Sequence, residues 1–326
     1  MALGRFAALA FIACLASYGA SASDYPTSRI TVVVPFPAGA LTDVLGRLVA
    51  DRIREETGQA VIVENRPGAA GNVGIDVVAK SKPDGYTLGL VGNNTLVVNP
   101  HLYKVMPFDP VKDLTLVGLV GEVPQVIAIN PNVPVKNMAE FLELARKTPG
   151  RYTYASAGTG SPSHLNVFRW SKIAGIELTH VPYRGIAPAL MDVLSHQVDI
   201  LEAGLSTFQA HAEAGKIRIL GVDGFARLPS LPDTQTLSEL LPISGIDAKV
   251  WFGLVAPAAT PAPIVNQLNG YLKRLNADPD VRARLAREGI EVPIFVSPAE
   301  AGKRVSLELD QWRRVIKDGG LTADSP

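Results

Sequence analysis

Apolar residues recur along this chain in two alternating rhythms. Short runs such as "RITVVVPF" (29–36), "AVIVEN" (60–65) and "GYTLGLVG" (85–92) are rich in β-branched residues and bounded by turn formers, which marks buried strands. Between the first two, Val44, Leu45, Leu48, Val49 and Ile53 fall at helical spacing, and Gly58 ends that helix. "IDVVAKSK" (75–82) is the next predicted helix. The rhythm then restarts. "QVIAIN" (125–130), "RYTYASAGTG" (151–160), "ELTHVPY" (177–183), "DILEAG" (199–204) and "IRILGV" (217–222) read as strands. "NMAEFLELARK" (137–147), "SPSHLNVFRWSKIAG" (161–175) and "APALMDVLSHQ" (187–197) read as helices between them. A late strand, "AKVWFGLVAP" (248–257), precedes a helical tail. There Pro261 and Asp280 open helices, and Ser297-Pro298-Ala299-Glu300 forms a capping box. Val305, Leu309, Trp312 and Ile316 make an apolar stripe suited to core packing.

Strands alternating with helices argue for mostly parallel sheets covered on both faces. The fold class is α/β, with two doubly wound units built on one plan. The tail is expected to fold back onto the first unit. Domain 1 would then comprise 23–122 and 248–326, and domain 2 would comprise 123–247.

The first 22 residues break the pattern. Arg5 is their only charge, an apolar run follows from Phe6 to Tyr18, and Ala20-Ser21-Ala22 supplies a small-residue cleavage site. This three-part pattern predicts a signal peptide, cleavage near Ala22 and export to the periplasm. The run is shorter than the ~20 residues that span a bilayer. Cys14, the only cysteine, lies inside this segment, so the mature chain has no disulfide and no cysteine nucleophile. Acylation of Cys14 is the alternative, but Phe11 suits a lipoprotein signal poorly. Basic and acidic residues balance at 31 each, which gives no footprint for nucleic acid. No cofactor motif is present: Gly158-Thr159-Gly160 begins a dinucleotide fingerprint, but Ser163 stands where its third glycine belongs. His101, His164, His180, His196 and His211 lack metal-ligand spacing, so no metal is expected.

Two strand-to-helix turns carry the candidate chemistry. "VVVPFPAGALTD" (32–43) and "YASAGTGSPSHL" (154–165) are each a strand, a bend of small residues and a helix start. The first amides of a helix have no internal partner, and the aligned peptide dipoles place about half a positive charge there. Small side chains let an anion reach those amides. In doubly wound sheets ligands sit beyond the carboxyl ends of the strands, where both turns lie. The ligand-binding candidates are therefore Phe36, Gly39, Ala40, Thr42 and Asp43 in the first turn, and Ala157, Gly158, Thr159, Gly160, Ser161, Ser163 and His164 in the second. Ser161 is a plausible N-cap with Pro162 at the first helical position; Thr42 or Asp43 can cap the first helix. Asn94 ends a strand and either lines the cleft or turns the chain. Arg66 and Arg184 lie near turns and can pair with an acid or face solvent.

Several long stretches resemble the Bug-type family, the periplasmic solute-binding proteins of tripartite tricarboxylate transporters. They are "YPTSRITVVVPFPAGALTDVLGRLVADRI", "VIVENRPGAAGNVGIDVVAKSKPDGYTL", "YASAGTGSPSHL", "HVPYRGIAPALMDVLSHQVD" and "WFGLVAPAATPAPIVNQLN", in order along nearly the whole mature chain. The resemblance implies a periplasmic-binding-protein type II-like pair of domains closing on cargo in the cleft between them. It implies a small carboxylate as cargo: a di- or tricarboxylic acid, an acidic amino acid or an aromatic acid. It implies the membrane components of such a transporter as partner, a monomer, and no catalysis. It places cargo at the turns 36–43 and 157–164, and adds Tyr183 and Ala203 to the candidates. Three departures matter. Ala38 replaces a proline and Ala40 a glycine of the usual first turn, and Ala203 stands where an Asp is frequent, with Glu202 beside it.

Two other functions share parts of this pattern. A hydrolase using Ser161 or Ser163 lacks a positioned base, because His164 points about 100° from its neighbour on a helix. A sensor feeding a two-component kinase would share the binding fold. Hinges are expected near Val120 and Val250.

Overall fold

The computed structural model describes residues 25–245 and 247–322. The signal-like segment and Cys14 lie outside the described residues. In chain order the strands of the first half are β1 (Ile30–Val34), β2 (Val61–Asn65), β3 (Thr87–Gly92) and β4 (Leu114–Val123). Helices α1 (Leu41–Thr57), α2 (Asn72–Ala79) and α3 (Asn99–Leu102) alternate with them. The next run is β5 (Gln125–Ile129), α4 (Met138–Lys147), β6 (Thr153–Ser156), α5 (Pro162–Ala174), β7 (Thr179–Pro182), α6 (Ile186–Leu194), β8 (Ile200–Gly204), α7 (Gln209–Glu213) and β9 (Arg218–Asp223). After α8 (Leu237–Leu240) come β10 (Val250–Pro257), α9 (Ala262–Ala277), α10 (Pro279–Arg287) and α11 (Pro298–Gly319).

The strands form two five-stranded sheets, ordered β2-β1-β3-β10-β4 and β7-β6-β8-β5-β9. The orders match term for term, with β6, β7, β8 and β9 in the places of β1, β2, β3 and β4. In each sheet four of the five strands run the same way and one opposes them, which makes the sheets mixed. β10 runs antiparallel to β3 and β4, and β5 antiparallel to β8 and β9. The reason is connectivity. β4 and β5 are joined by Pro124 alone, so β5 enters its sheet from the end where β4 leaves the other. The parallel strands point their carboxyl ends toward that crossing, so an incoming strand must oppose them. β10 makes the return passage.

Both faces of each sheet are covered, as alternation demands. On β1, Ile30, Val32 and Val34 join the cluster of α1 and α9, with Leu45, Ile53, Leu268 and Leu272. Val33 faces the other way, toward Ile75 of α2 and Val305, Trp312 and Ile316 of α11. The second sheet packs against α4 and α5 on one face and α6 on the other. Leu165 of α5 is buried in the α11 cluster, so the two units touch there as well as at the crossing strands.

β4 does not stand out in the sequence. Its glycines weaken the apolar run, yet they serve packing. A Cβ at Gly118 would stand 2.9 Å from Asn269 Nδ2. The bare backbone lets that amide donate to the Val117 carbonyl at 2.7 Å. In the tail, Ser297 and Glu300 form the expected capping box. Asp278, not Asp280, caps α10, accepting from the amides of Asp280 and Val281. Proline at 279 fills the first helical position, so the cap falls one residue earlier. Among the described residues no helix is long and apolar enough to cross a membrane.

Candidate functional site

A cavity of about 420 Å³ lies between the two sheets, where both turns meet. Phe36 and Thr42 reach it from the first turn, and Thr159, Gly160 and Ser161 from the second. Asn94 lines it too. Gly160 is where the units approach: a Cβ there would come within 2.7 Å of Leu102 Cδ1. A crevice of about 550 Å³ beside Pro124, lined by Leu205, Gln209 and Arg282, contains neither turn.

The two helix starts use one local device. Gly39 precedes Ala40, the N-cap residue of α1, and Gly160 precedes Ser161, the N-cap residue of α5. Both glycines have positive φ, +84° and +79°, which favours glycine. The Gly39 amide donates to Asp43 Oδ2 at 2.9 Å, and the Gly160 amide to His164 Nδ1 at 3.0 Å. Asp43 and His164 occupy the same position, third in their helices, and each reaches back to the glycine.

This geometry corrects the expectation that the turns present a full set of open amides. Ala40 and Asp43 donate within the first turn, to the carbonyls of Pro37 and Ala40. In the second turn the amides of Ala157 and Gly158 donate to Ser163 and Ser156 hydroxyls. Those of Ser161 and His164 donate to the Gly158 and Ser161 carbonyls. Neighbouring backbone carbonyls and serine hydroxyls already occupy these groups. Among the described residues the amides of Phe36, Ala38, Leu41, Thr42, Thr159 and Ser163 remain without a protein acceptor. Of these residues Phe36, Thr42 and Thr159 line the cavity.

Other candidates hold the frame. Asp43 is buried and accepts also from Arg47 and Asn65, at 3.0 Å each. Burial alone would raise its carboxyl, but bonds from Arg47, the Gly39 amide and Asn65 outweigh it and lower the pKa to about 2. Neither it nor Thr42 is the N-cap, a position that Ala40 fills without a side-chain bond. Ser161 does cap α5, accepting from the His164 amide. His164 is stacked on His180 with centroids 4.0 Å apart. Burial, then the neighbouring His180, lowers its pKa to about 4. Tyr183 donates to Asp192 at 2.6 Å. Ala203 is buried in the core of the second sheet and pairs with Val126, so neither of these lines the cavity. Arg66 pairs with Glu64 on the surface, and Arg184 is exposed.

The fold adds residues the sequence left unmarked. After β3 the chain makes a π-helical turn (Asn94–Val98) that runs into α3. This buried segment brings Asn93, Leu102 and Tyr103 to the cavity, and β10 brings Val250 and Phe252. Ala69 and Ala70 adopt φ of 44° and 51°, unusual for alanine. The Ala70 carbonyl is held by Thr95 Oγ1 and Asn99 Nδ2, both at 3.1 Å. Those bonds hold the strained loop against the cavity wall.

His164 yields a pH prediction. Its folded pKa, about 4, lies below the ordinary 6.5, so between these values the unfolded chain binds more protons. Stability therefore rises from pH 4 to 6.5 and falls on acidification. Burial lowers His180 too, with the same sign. Urea unfolding across this range checks it. His164→Asn, which can still accept from Gly160, should flatten the slope; an unchanged slope contradicts the assignment.

A sequence profile of the family described as "Tripartite tricarboxylate transporter family receptor" matches residues 45–321. The chain belongs to this family. Its members are solute-binding receptors, not enzymes, which removes the hydrolase alternative. As a member of this family it has relatives of known sequence and structure. It is 33% identical over 300 residues to the UPF0065 protein in the tcbD-tcbE intergenic region of Pseudomonas sp. (strain P51), covering 92% of this chain and 89% of that one. R. palustris Rpa4515 with adipate superposes at a TM-score of 0.75 with 33% identity, covering 92% of this chain and 99% of that one. MatC from Rhodopseudomonas palustris with bound malate superposes at 0.71 with 31% identity, covering 90% and 100%.

Proposed function

We propose that this receptor captures a small carboxylate in the cavity between its two units, closes on it, and delivers it to the membrane components of a tripartite tricarboxylate-type transporter. The observation that carries this is the meeting of Thr42 and Thr159, from opposite sheets, on one cavity. Family membership and the adipate and malate held by its structural neighbours support an acid as cargo. The signal-like first 22 residues support cleavage near Ala22 and action in the periplasm. Two domains, 23–122 with 248–326 and 123–247, would move about the crossing at Pro124 and the start of β10.

A thermal-shift screen of carboxylates tests this reading. At 100 times Kd a ligand adds about 2.7 kcal/mol to folded stability, which is about 5–10 °C in melting temperature for units of this size. An acid that produces such a shift supports it. A broad panel without any shift contradicts it.

A further inference from the structure

A crevice of about 540 Å³ lies on the second unit where α4 and α5 end, and no residue of the turns 36–43 or 157–164 lines it. We infer that this crevice is a second ligand site, independent of the cargo cavity, which takes a small aromatic carboxylate. Three observations carry it.

The first is Tyr154 of β6, which lines the crevice and is 3% exposed. Its hydroxyl has no hydrogen-bond partner among the described residues, yet it is not sealed from solvent. A buried tyrosine usually places its hydroxyl on a partner. Burial raises its pKa, so at neutral pH it keeps its proton and can donate to a ligand. The second is charge. Arg146 and Lys172 line the crevice with one acid, Glu177. None of the three forms an ion pair among the described residues, and nearby Glu143 pairs with Lys147 instead. Both cations are held against the wall. Arg146 Nε donates to the Ala174 carbonyl at 3.2 Å, and Lys172 Nζ lies 5.5 Å from the centre of the Phe168 ring. The third is the apolar part of the wall. Phe168 and Ile176 give a flat ring a surface to pack on, while its carboxylate takes the Tyr154 proton donor and the two cations.

Benzoate is the probe, titrated at neutral pH into the Thr42→Val/Thr159→Val protein, whose cargo cavity is weakened. Calorimetry should give a Kd of about 1 mM or tighter. The His180 ring stacks on Tyr154 with centroids 4.8 Å apart, so its NMR signals should move with the same midpoint. Arg146→Gln with Lys172→Gln should weaken binding about tenfold, each contributing part. Tyr154→Phe, which keeps the ring, should weaken it severalfold, and Glu177→Gln should strengthen it. Neutral benzamide should bind at least about tenfold more weakly than benzoate. No benzoate binding to the double variant, or binding indifferent to Arg146, Lys172 and Tyr154, would overturn the inference and leave cargo capture standing. Benzoate binding that depends on those three residues, with no acid responding to Thr42 or Thr159, would contradict the cargo reading and leave this site standing.

Discussion

Arg169→Ala should cost about 3–5 kcal/mol of folding free energy, the range for breaking a buried ion pair on one side. Arg169 lies on α5, 5% exposed, and its guanidinium donates to both oxygens of Asp223, at 2.8 and 2.9 Å. Beside this pair Glu202 is fully buried and accepts from Trp170 Nε1 at 2.9 Å. Burial first, and then the Asp223 charge, raises the Glu202 carboxyl well above its ordinary value. Without the arginine two neighbouring acids are left in the core with no cation between them. Urea unfolding measures the loss. Arg169→Lys should recover only part of it, since a compact, strongly hydrated ammonium costs more to bury than a delocalised guanidinium. A loss below about 1 kcal/mol for the alanine variant would show that the pair contributes little.

The second large effect concerns binding. Thr42→Val with Thr159→Val removes two hydroxyls from opposite units while nearly keeping their shapes. A hydrogen bond to a charged group contributes about 1.5–3 kcal/mol, so each single change should weaken cargo binding about 10- to 100-fold. Because one carboxylate is held by both, the double change should lower affinity more than either alone, and the folded chain should keep its melting temperature without cargo. Thr42 is largely buried and Thr159 exposed, so a small rise in stability from Val at 42 would not disturb the comparison. Full-strength binding by the double variant would remove these residues from the site.

Much of this architecture is written locally. The β-branched runs, the Gly58 stop and the Ser297–Glu300 box each specify an element from a few neighbouring residues, and those elements form. The two turns are legible for the same reason. What local pattern does not carry is long-range pairing. β4 is hidden because its glycines make room for Asn269, 152 residues away from its partner Val117. Sheet direction follows from which unit a strand enters, which periodicity does not encode. The cavity wall was half visible. Phe36, Thr42 and Thr159 stand in the turns, whereas Leu102 and Phe252 arrive from segments that look like plain core. The internal bonding of the turn amides is legible in part. Asp43 and His164 each stand four residues after a glycine, and an acceptor so placed in the first turn of a helix signals a bond back to that glycine.

A crystal structure with bound cargo acid tests the central claim most directly. A single carboxylate is expected between the units, within hydrogen-bond distance of both Thr42 and Thr159, its body against Leu102 and Phe252. A carboxylate held by one unit alone, or cargo in the crevice beside Leu205 and Arg282, would contradict it.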